Sequence, residues 1–375
     1  MEALKVMDGV VQGRHEYARG WKEKKHSPVI GYLCTWVPEE LIFAAGGLPV
    51  RVLGSHEPQD VVEPHIFSQF CPYSRDCLAQ GLLGRYSYLD GIVYAHGCYH
   101  IRQTFDSWQR HIPTPLAYFF FMPTNVQRRG AKDQVVRELE AFKEALEKHT
   151  GREMTQEALY RAVEVYDTNR RLMRQVYELR KADIPPLSGS EALTMVVASQ
   201  LMDKEEHNRL LASLLEGLPQ RQRRPQGKLR LMVVGSELDD PALYQLLEDM
   251  GGEVVIDDNC AGTRYFWNEA GTDSSVLGAI ASRYLDKPPC PVYDYAEKRR
   301  RHPHVLTLAR DYRVQAVLLV QLKFCDSHEY DMPSLEAMFR QEHIPTLKLE
   351  CDITIPVGQF RTRIEAFFET VELEV

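Results

Sequence analysis

Two apolar runs in this chain stop in the same way. From Asp90 the sequence reads Asp-Gly-Ile-Val-Tyr-Ala-His-Gly-Cys-Tyr-His, and Val314–Leu322 leads into Lys-Phe-Cys-Asp-Ser-His-Glu-Tyr-Asp, so a strand-like run gives way at a cysteine to a helix-like one both times. Strands that alternate with helices build open α/β sheets, in which strand carboxyl ends and helix amino termini face the ligand crevice. Cys98 and Cys325 are therefore expected at such corners. A further echo follows each of them. His111-Ile-Pro-Thr comes after the first helix and His343-Ile-Pro-Thr after the second, each leading into the next strand. The fold class expected is α/β, with two similar flavodoxin-like doubly wound domains whose corners face each other.

The remaining chain divides around these two units. Residues 1–26 read as polar helix with Val6, Val10, Tyr17 and Trp21 on one stripe, Val29–Leu33 as a strand, and Pro38 as the start of a helix that Gly46-Gly47 ends. Leu48–Leu53 and Leu116–Met122 read as further strands. From Ala131 to Leu218 acid and base pairs recur at helical spacing, which predicts a helical insert, and Pro219–Gly227 reads as a linker. Strand Lys228–Gly235, a helix to Met250 and strand Glu253–Ile256 open the second unit. The boundaries expected are 1–130 for an amino-terminal α/β domain, 131–226 for the insert and linker, and 227–375 for the second α/β domain.

Charge and motifs exclude several classes. A formal net charge of −8 argues against nucleic-acid binding, and the basic runs at 22–25, 221–224 and 298–301 read as solvated faces. No run approaches the roughly 18 to 20 apolar residues of a membrane helix, and the amino terminus lacks the apolar core of a signal peptide, so a cytoplasmic protein is expected. There is no phosphate loop, no Gly-x-Gly-x-x-Gly after a strand and no Gly-x-Ser-x-Gly elbow, which leaves no nucleotide site in this chain. Eight cysteines remain, with no Cys-x-x-Cys among them. In a reducing compartment such thiols are buried side chains or metal ligands, and ligands without local pairing must come from separate loops. Cys290 in Pro-Pro-Cys-Pro and Cys351 in Leu-Glu-Cys-Asp read as buried small hydrophobes.

Several segments in one order carry a family resemblance: Val37-Pro-Glu-Glu-Leu, Ala44-Ala-Gly-Gly-Leu-Pro-Val, Cys71-Pro-Tyr, Leu89-Asp-Gly-Ile-Val, Gly235-Ser-Glu-Leu-Asp-Asp-Pro, Asp257-Asp-Asn-Cys-Ala-Gly-Thr-Arg and Lys323-Phe-Cys-Asp-Ser-His-Glu-Tyr-Asp. The sequence resembles the benzoyl-CoA reductase and 2-hydroxyacyl-CoA dehydratase family, most of all its smaller cluster-bearing reductase subunits. The resemblance implies a [4Fe-4S] cluster on Cys71, Cys98 and Cys325, with soft thiolates suited to iron and one iron left open. It also admits a double-cubane cluster, in which Cys34, Cys77 and Cys260 complete six ligands. Thr35 matches a hydroxyl position near the open iron, with a helix cap before Pro38 as the alternative. His96, His100 and His328 flank ligand positions, as proton donors or as hydrogen bonds that tune the cluster. Glu39 and Glu40 read as helix-start residues, and Arg102 and Arg264 as salt-bridge residues with a CoA phosphate as the alternative.

The activity implied is ATP-dependent transfer of single low-potential electrons to an aromatic acyl-CoA such as benzoyl-CoA, giving a cyclic diene. A 2-hydroxyacyl-CoA dehydratase subunit and a homodimeric double-cubane electron-transfer protein are the alternatives. The partners implied are a larger homologous cluster-bearing subunit, ATP-binding electron-activator subunits and a ferredoxin as upstream donor.

Overall fold

A computed structural model describes residues 1–223, 229–271, 273–294 and 298–374. Residues 224–227 of the expected linker, and Lys228 at the start of the expected strand after it, lie outside it. Eight strands form two four-stranded sheets. The first contains β1 (Val29–Leu33), β2 (Leu48–Arg51), β3 (Gly91–Ala95) and β4 (Leu116–Phe120); the second contains β5 (Leu229–Gly235), β6 (Gly252–Asp258), β7 (Ala316–Leu322) and β8 (Thr346–Cys351). Their orders are β2-β1-β3-β4 and β6-β5-β7-β8, and every pair is parallel. This is the doubly wound arrangement expected from the sequence, made twice. The crossover reverses between β1 and β3 and again between β5 and β7, which opens a crevice beyond the carboxyl ends of those strands.

The strands are apolar on both faces because helices cover both. Val29 and Leu33 of β1 enter one core cluster, while Ile30 and Tyr32 enter another on the opposite face. Gly31 lies between them, where a Cβ would come within 2.6 Å of Leu89 Cδ1, so close layer packing requires glycine there.

Helices Ala131–Thr150, Gln156–Leu179, Gly189–Ser199 and Lys204–Gly217 fill the stretch between the sheets. The first packs on β4 and the third on β6, so this stretch touches both sheets. Its starts are cut by local chemistry: Thr155 accepts from Ala158 N, Ser188 and Glu191 form a capping box, and Asp203 accepts from the amides of 205 and 206. No helix among the described residues is long and apolar enough to cross a membrane.

One expectation for local structure differs. Gly13 breaks the amino-terminal helix into Glu2–Gln12 and Arg14–Lys25, and the buried face of the first is Leu4, Met7, Val10 and Val11, with Val6 exposed. A stripe drawn through one continuous helix could not include that break. Tyr17 and Trp21 do face inward, where the Tyr17 hydroxyl donates to Glu206 and Trp21 Nε1 to Asp203. Glu39 and Glu40 do open a helix, Glu39–Ala44, as expected, but their carboxylates have a further role. Both are buried: Glu40 accepts from Arg170 and, at 3.0 Å, from the Tyr284 hydroxyl, and Glu39 accepts from the Tyr265 hydroxyl at 2.9 Å. Helix Glu39–Ala44 is thereby pinned to the insert and to the second half of the chain.

His207, in the insert, makes the protein acid-sensitive. Its ring is fully buried, Nδ1 accepts from Asn169 at 2.8 Å and Nε2 donates to the Met195 carbonyl at 3.0 Å. Desolvation, helped by the charge of Lys204, lowers its pKa from 6.5 to about 3. Below the unfolded value the unfolded chain binds a proton that the folded chain refuses, so stability falls from pH 6.5 downward. At one pKa unit per 1.36 kcal/mol, the loss attributable to this ring by pH 4 is about 3 kcal/mol. Urea denaturation at pH 7 and pH 4 tests it: the acid loss in His207→Gln should be smaller than in the wild type by that amount.

Candidate functional site

Strand ends and helix starts bring six cysteines to one cavity: Cys34, Cys71, Cys98, Cys260, Cys290 and Cys325 all line it. Cys34 follows β1, Cys98 follows β3, Cys260 follows β6 and Cys325 follows β7. Cys71, Cys98 and Cys325 occupy the cap positions of helices Pro72–Leu82, Tyr99–His111 and Asp326–Gln341. Three helix amino termini therefore point their partial positive charge at the sulfur atoms, which favours thiolate. The backbone is bent to achieve this. Cys34 itself has φ 79° and Phe324, just before Cys325, has φ 58°, left-handed values that cost a non-glycine residue about 1 kcal/mol or more and cluster where function over-determines the fold.

The six sulfurs group by their mutual electrostatics. Ionised, Cys71 and Cys325 would each oppose ionisation of Cys98, and Cys71 that of Cys325. Likewise Cys290 and Cys34 would oppose ionisation of Cys260, and Cys290 that of Cys34. Two triangles result, with a link between Cys98 and Cys34. Each triangle draws on both sheets: Cys71 and Cys98 meet Cys325, and Cys34 meets Cys260 and Cys290.

Burial pushes every one of these thiols up, Cys34 to about 11 and Cys325 to about 12. Uncomplexed they are neutral. Cations surround them nonetheless: Arg51 opposes the shift at Cys34, and Arg264, Arg301 and Lys287 oppose it at Cys290. Such a shell of buried positive charge is costly around neutral thiols and favourable around thiolates held by a metal centre, where coordination removes the proton outright. The Tyr293 hydroxyl and His328 Nδ1 are buried on residues of the cavity wall without a hydrogen-bond partner among the described residues. Among the described residues no three His, Cys, Asp or Glu side chains meet around one ion-sized point. The thiols line a volume instead. The donor set, soft, sixfold and in two triplets, fits iron–sulfur cubanes.

Polar neighbours have defined places. The Thr35 hydroxyl accepts from Lys287 Nζ at 2.9 Å and its carbonyl accepts from the same ammonium at 2.6 Å, so it does not cap the helix at Glu39. His100 is buried beside the cavity: Nδ1 accepts from the Cys71 amide at 3.1 Å, and Nε2 faces the Asp326 carboxylate at 3.5 Å. One imidazole thus joins the Cys71 corner to the Cys325 corner. His328 lines the cavity, and desolvation and then Arg264 hold its pKa well below the usual value. His96 turns away, with Nδ1 2.9 Å from the Met122 carbonyl and its ring stacked on Phe121. Arg102 pairs with Asp106, and Arg264 bonds the Gly235 carbonyl and lies 3.7 Å from Asp258.

Two cysteine assignments change. Cys77 does not line the cavity; it sits one turn and a half into helix Pro72–Leu82 on the inward face, where its thiol donates to the Val52 carbonyl at 3.4 Å. Cys290, read from the sequence as a buried hydrophobe, lines the cavity instead. Cys351 is buried at the end of β8.

Comparisons with known proteins agree with this architecture. The family profile for 2-hydroxyglutaryl-CoA dehydratase, D-component, matches residues 34–371. Curated relatives include the beta subunit of (R)-phenyllactyl-CoA dehydratase from Clostridium sporogenes, 24% identical over 96% of each chain. A benzoyl-CoA reductase subunit from Thauera aromatica is 26% identical over 89% of this chain and 88% of its own. The beta subunit of (R)-2-hydroxyglutaryl-CoA dehydratase from Acidaminococcus fermentans is 28% identical over 91% of this chain and 92% of its own.

Proposed function

The chain belongs to the 2-hydroxyglutaryl-CoA dehydratase D-component family, and from that footing we propose that it is an iron–sulfur reductase whose six cavity cysteines hold a double-cubane centre. The observation that carries the reading is that six cysteines from separate loops of both halves of the chain line one cavity. Cys71, Cys98 and Cys325 would hold one cubane, and Cys34, Cys260 and Cys290 the other. Bound there, the centre would supply single electrons at low potential and, at irons without a protein ligand, electrophilic contact with a substrate.

The residues of this chain set the conditions for that chemistry. Arg51 and Arg264 place positive charge beside the sulfurs, and Lys287, whose pKa burial lowers to about 7, adds a partial one, which offsets the negative charge that arrives with an electron. His100 fixes the Cys71 loop through its amide. The largely apolar wall strengthens each of these interactions. Electrons at such a potential have to be driven uphill, and without a phosphate loop in this chain an ATP-binding donor protein is the partner the reading requires.

A second reading keeps one cubane, on Cys71, Cys98 and Cys325, in a subunit of a benzoyl-CoA reductase beside a larger homologous subunit. Its support is the likeness to the Thauera aromatica protein and the aromatic surface beside Cys98, where exposed Phe67 and Tyr99 both pack edge-on to Phe70. Anaerobic purification with iron and sulfide counting separates the two. About eight irons per chain is expected for the double cubane and about four for the single one. Four irons together with ATP-dependent reduction of benzoyl-CoA would reject the first reading in favour of the second.

A further inference from the structure

Tyr293 ends the short turn Pro291–Tyr293 that Cys290 caps, and both residues line the thiol cavity. The Tyr293 amide donates to the Cys290 carbonyl at 3.0 Å, which fixes the tyrosine and the cysteine to each other. Its ring is fully buried and packs on Trp36 with centroids 4.0 Å apart. Lys287 Nζ lies 5.1 Å from the centroid of the same Trp36 ring. Trp36 belongs to the loop that carries Cys34, so the ring of Tyr293 is held from both halves of the chain.

Packing accounts for the ring and leaves the hydroxyl over. A buried tyrosine O–H ordinarily finds an acceptor. That of Tyr293 has none among the described residues. Gly97 shows where it lies: a Cβ built on that glycine would stand 3.9 Å from Tyr293 Oη and 3.7 Å from Cys34 Sγ, so oxygen and sulfur approach one point of the cavity lining. The nearby Tyr94 hydroxyl is already engaged, accepting from the Gly97 amide at 2.8 Å and donating to the Cys98 carbonyl at 3.0 Å. The thiols that act on Tyr293 are Cys34, Cys290 and Cys98, which belong to both triplets. Burial and these thiols hold its pKa well above the usual value, and the oxygen keeps its proton. Two other polar groups of this wall sit off the junction, Ser236 beside Cys325 and His328 beside Arg264.

We propose that Tyr293 donates a hydrogen bond to a sulfur of the bound centre where the two cysteine triplets meet, and so raises the potential of that centre. The proposal rests on the double-cubane reading. A single electron enters the centre from a low-potential one-electron protein donor; no covalent bond forms or breaks, and the phenolic proton stays on its oxygen. An electron adds negative charge to the sulfurs, and a hydrogen bond to a more negative acceptor is stronger. The bond therefore stabilises the reduced form more than the oxidised one.

Stepwise reduction of the iron-loaded full chain at controlled potential, followed by electron paramagnetic resonance, tests this. Tyr293→Phe keeps the ring on Trp36 and removes only the oxygen. Iron content should stay at the wild-type value, and the equilibrium constant for reduction should fall about tenfold, a drop of about 59 mV for one electron. Tyr312→Phe removes a hydroxyl that is equally buried and unpartnered but lies outside the cavity wall, and should leave the potential in place. An unchanged potential in Tyr293→Phe at full iron, or an equal drop in Tyr312→Phe, overturns the hydrogen bond and leaves the double-cubane reading intact. If Tyr293→Phe loses iron, 3-fluorotyrosine introduced at position 293 carries the test, because its more acidic hydroxyl is a stronger donor in the same place. A raised potential then supports the proposal, and an unchanged or lowered one overturns it. Four irons per chain in the wild type sinks the double-cubane reading itself, and the proposal with it.

Discussion

Cys290→Ser should lower the iron content of the anaerobically purified protein by about half, whereas Cys77→Ser should leave it unchanged, on the stoichiometry of two cubanes with three thiolates each. The contrast isolates the cavity from the core. Both residues are cysteines in the same chain and both are shielded from solvent, but only Cys290 shares a wall with Cys34 and Cys260. Serine at 290 replaces a soft thiolate by a hard, weakly acidic oxygen, which iron and sulfide hold poorly. Serine at 77 costs only a weak hydrogen bond to the Val52 carbonyl and some packing, on the order of 1 kcal/mol. Cys98→Ser or Cys325→Ser should likewise remove the other half and change the visible absorbance, with the far-ultraviolet circular dichroism largely kept. Unchanged iron in Cys290→Ser, with iron lost in Cys77→Ser, would reverse the assignment.

The second large effect concerns stability. Glu40→Gln should cost about 3 kcal/mol and Arg170→Met more, since removing one partner of a buried ion pair strands the other, at a typical cost of about 3 to 5 kcal/mol. Burial by itself pushes the Glu40 carboxyl up, but Arg170 and Arg283 outweigh it and hold the group ionised, below its ordinary value. Glutamine keeps the bond from Tyr284 and leaves Arg170 with Asp167 as its remaining carboxylate. Methionine at 170 strands two carboxylates, Glu40 and Asp167, because Arg170 bonds both, the latter at 2.7 Å. Urea denaturation at pH 7 measures the order. Equal losses in the two variants would mean that Asp167 is satisfied by the Ala270 amide alone, 3.0 Å away.

The sequence was most legible where periodicity and punctuation agree. Apolar runs bounded by glycine and proline placed the strands around Cys34, Cys98 and Cys325, and the repeated His-Ile-Pro-Thr marked the return into β4 and β8, as the structure has it. Side-chain direction was less legible. In helix Pro72–Leu82 the position of Cys77 relative to the cavity depends on how the helix lies across β2 and its following loop, which no local pattern encodes. Cys290 was missed for the converse reason, since its loop has no period and its neighbours arrive from three other elements. Glu39 and Glu40 carry a helix-start signature that is locally sound, yet tertiary charge decides their fate, through Arg170, Tyr265 and Tyr284, all more than a hundred residues distant in sequence.

Each sulfur triangle takes members from both sheets, two from the first and one from the second in one case, one and two in the other. An inorganic centre seated there would act as a rivet through the two halves, and the crevice could not then gape without breaking metal–sulfur bonds. Stripping the iron should therefore loosen the cavity mouth first, with both sheets still held by the core cluster they share.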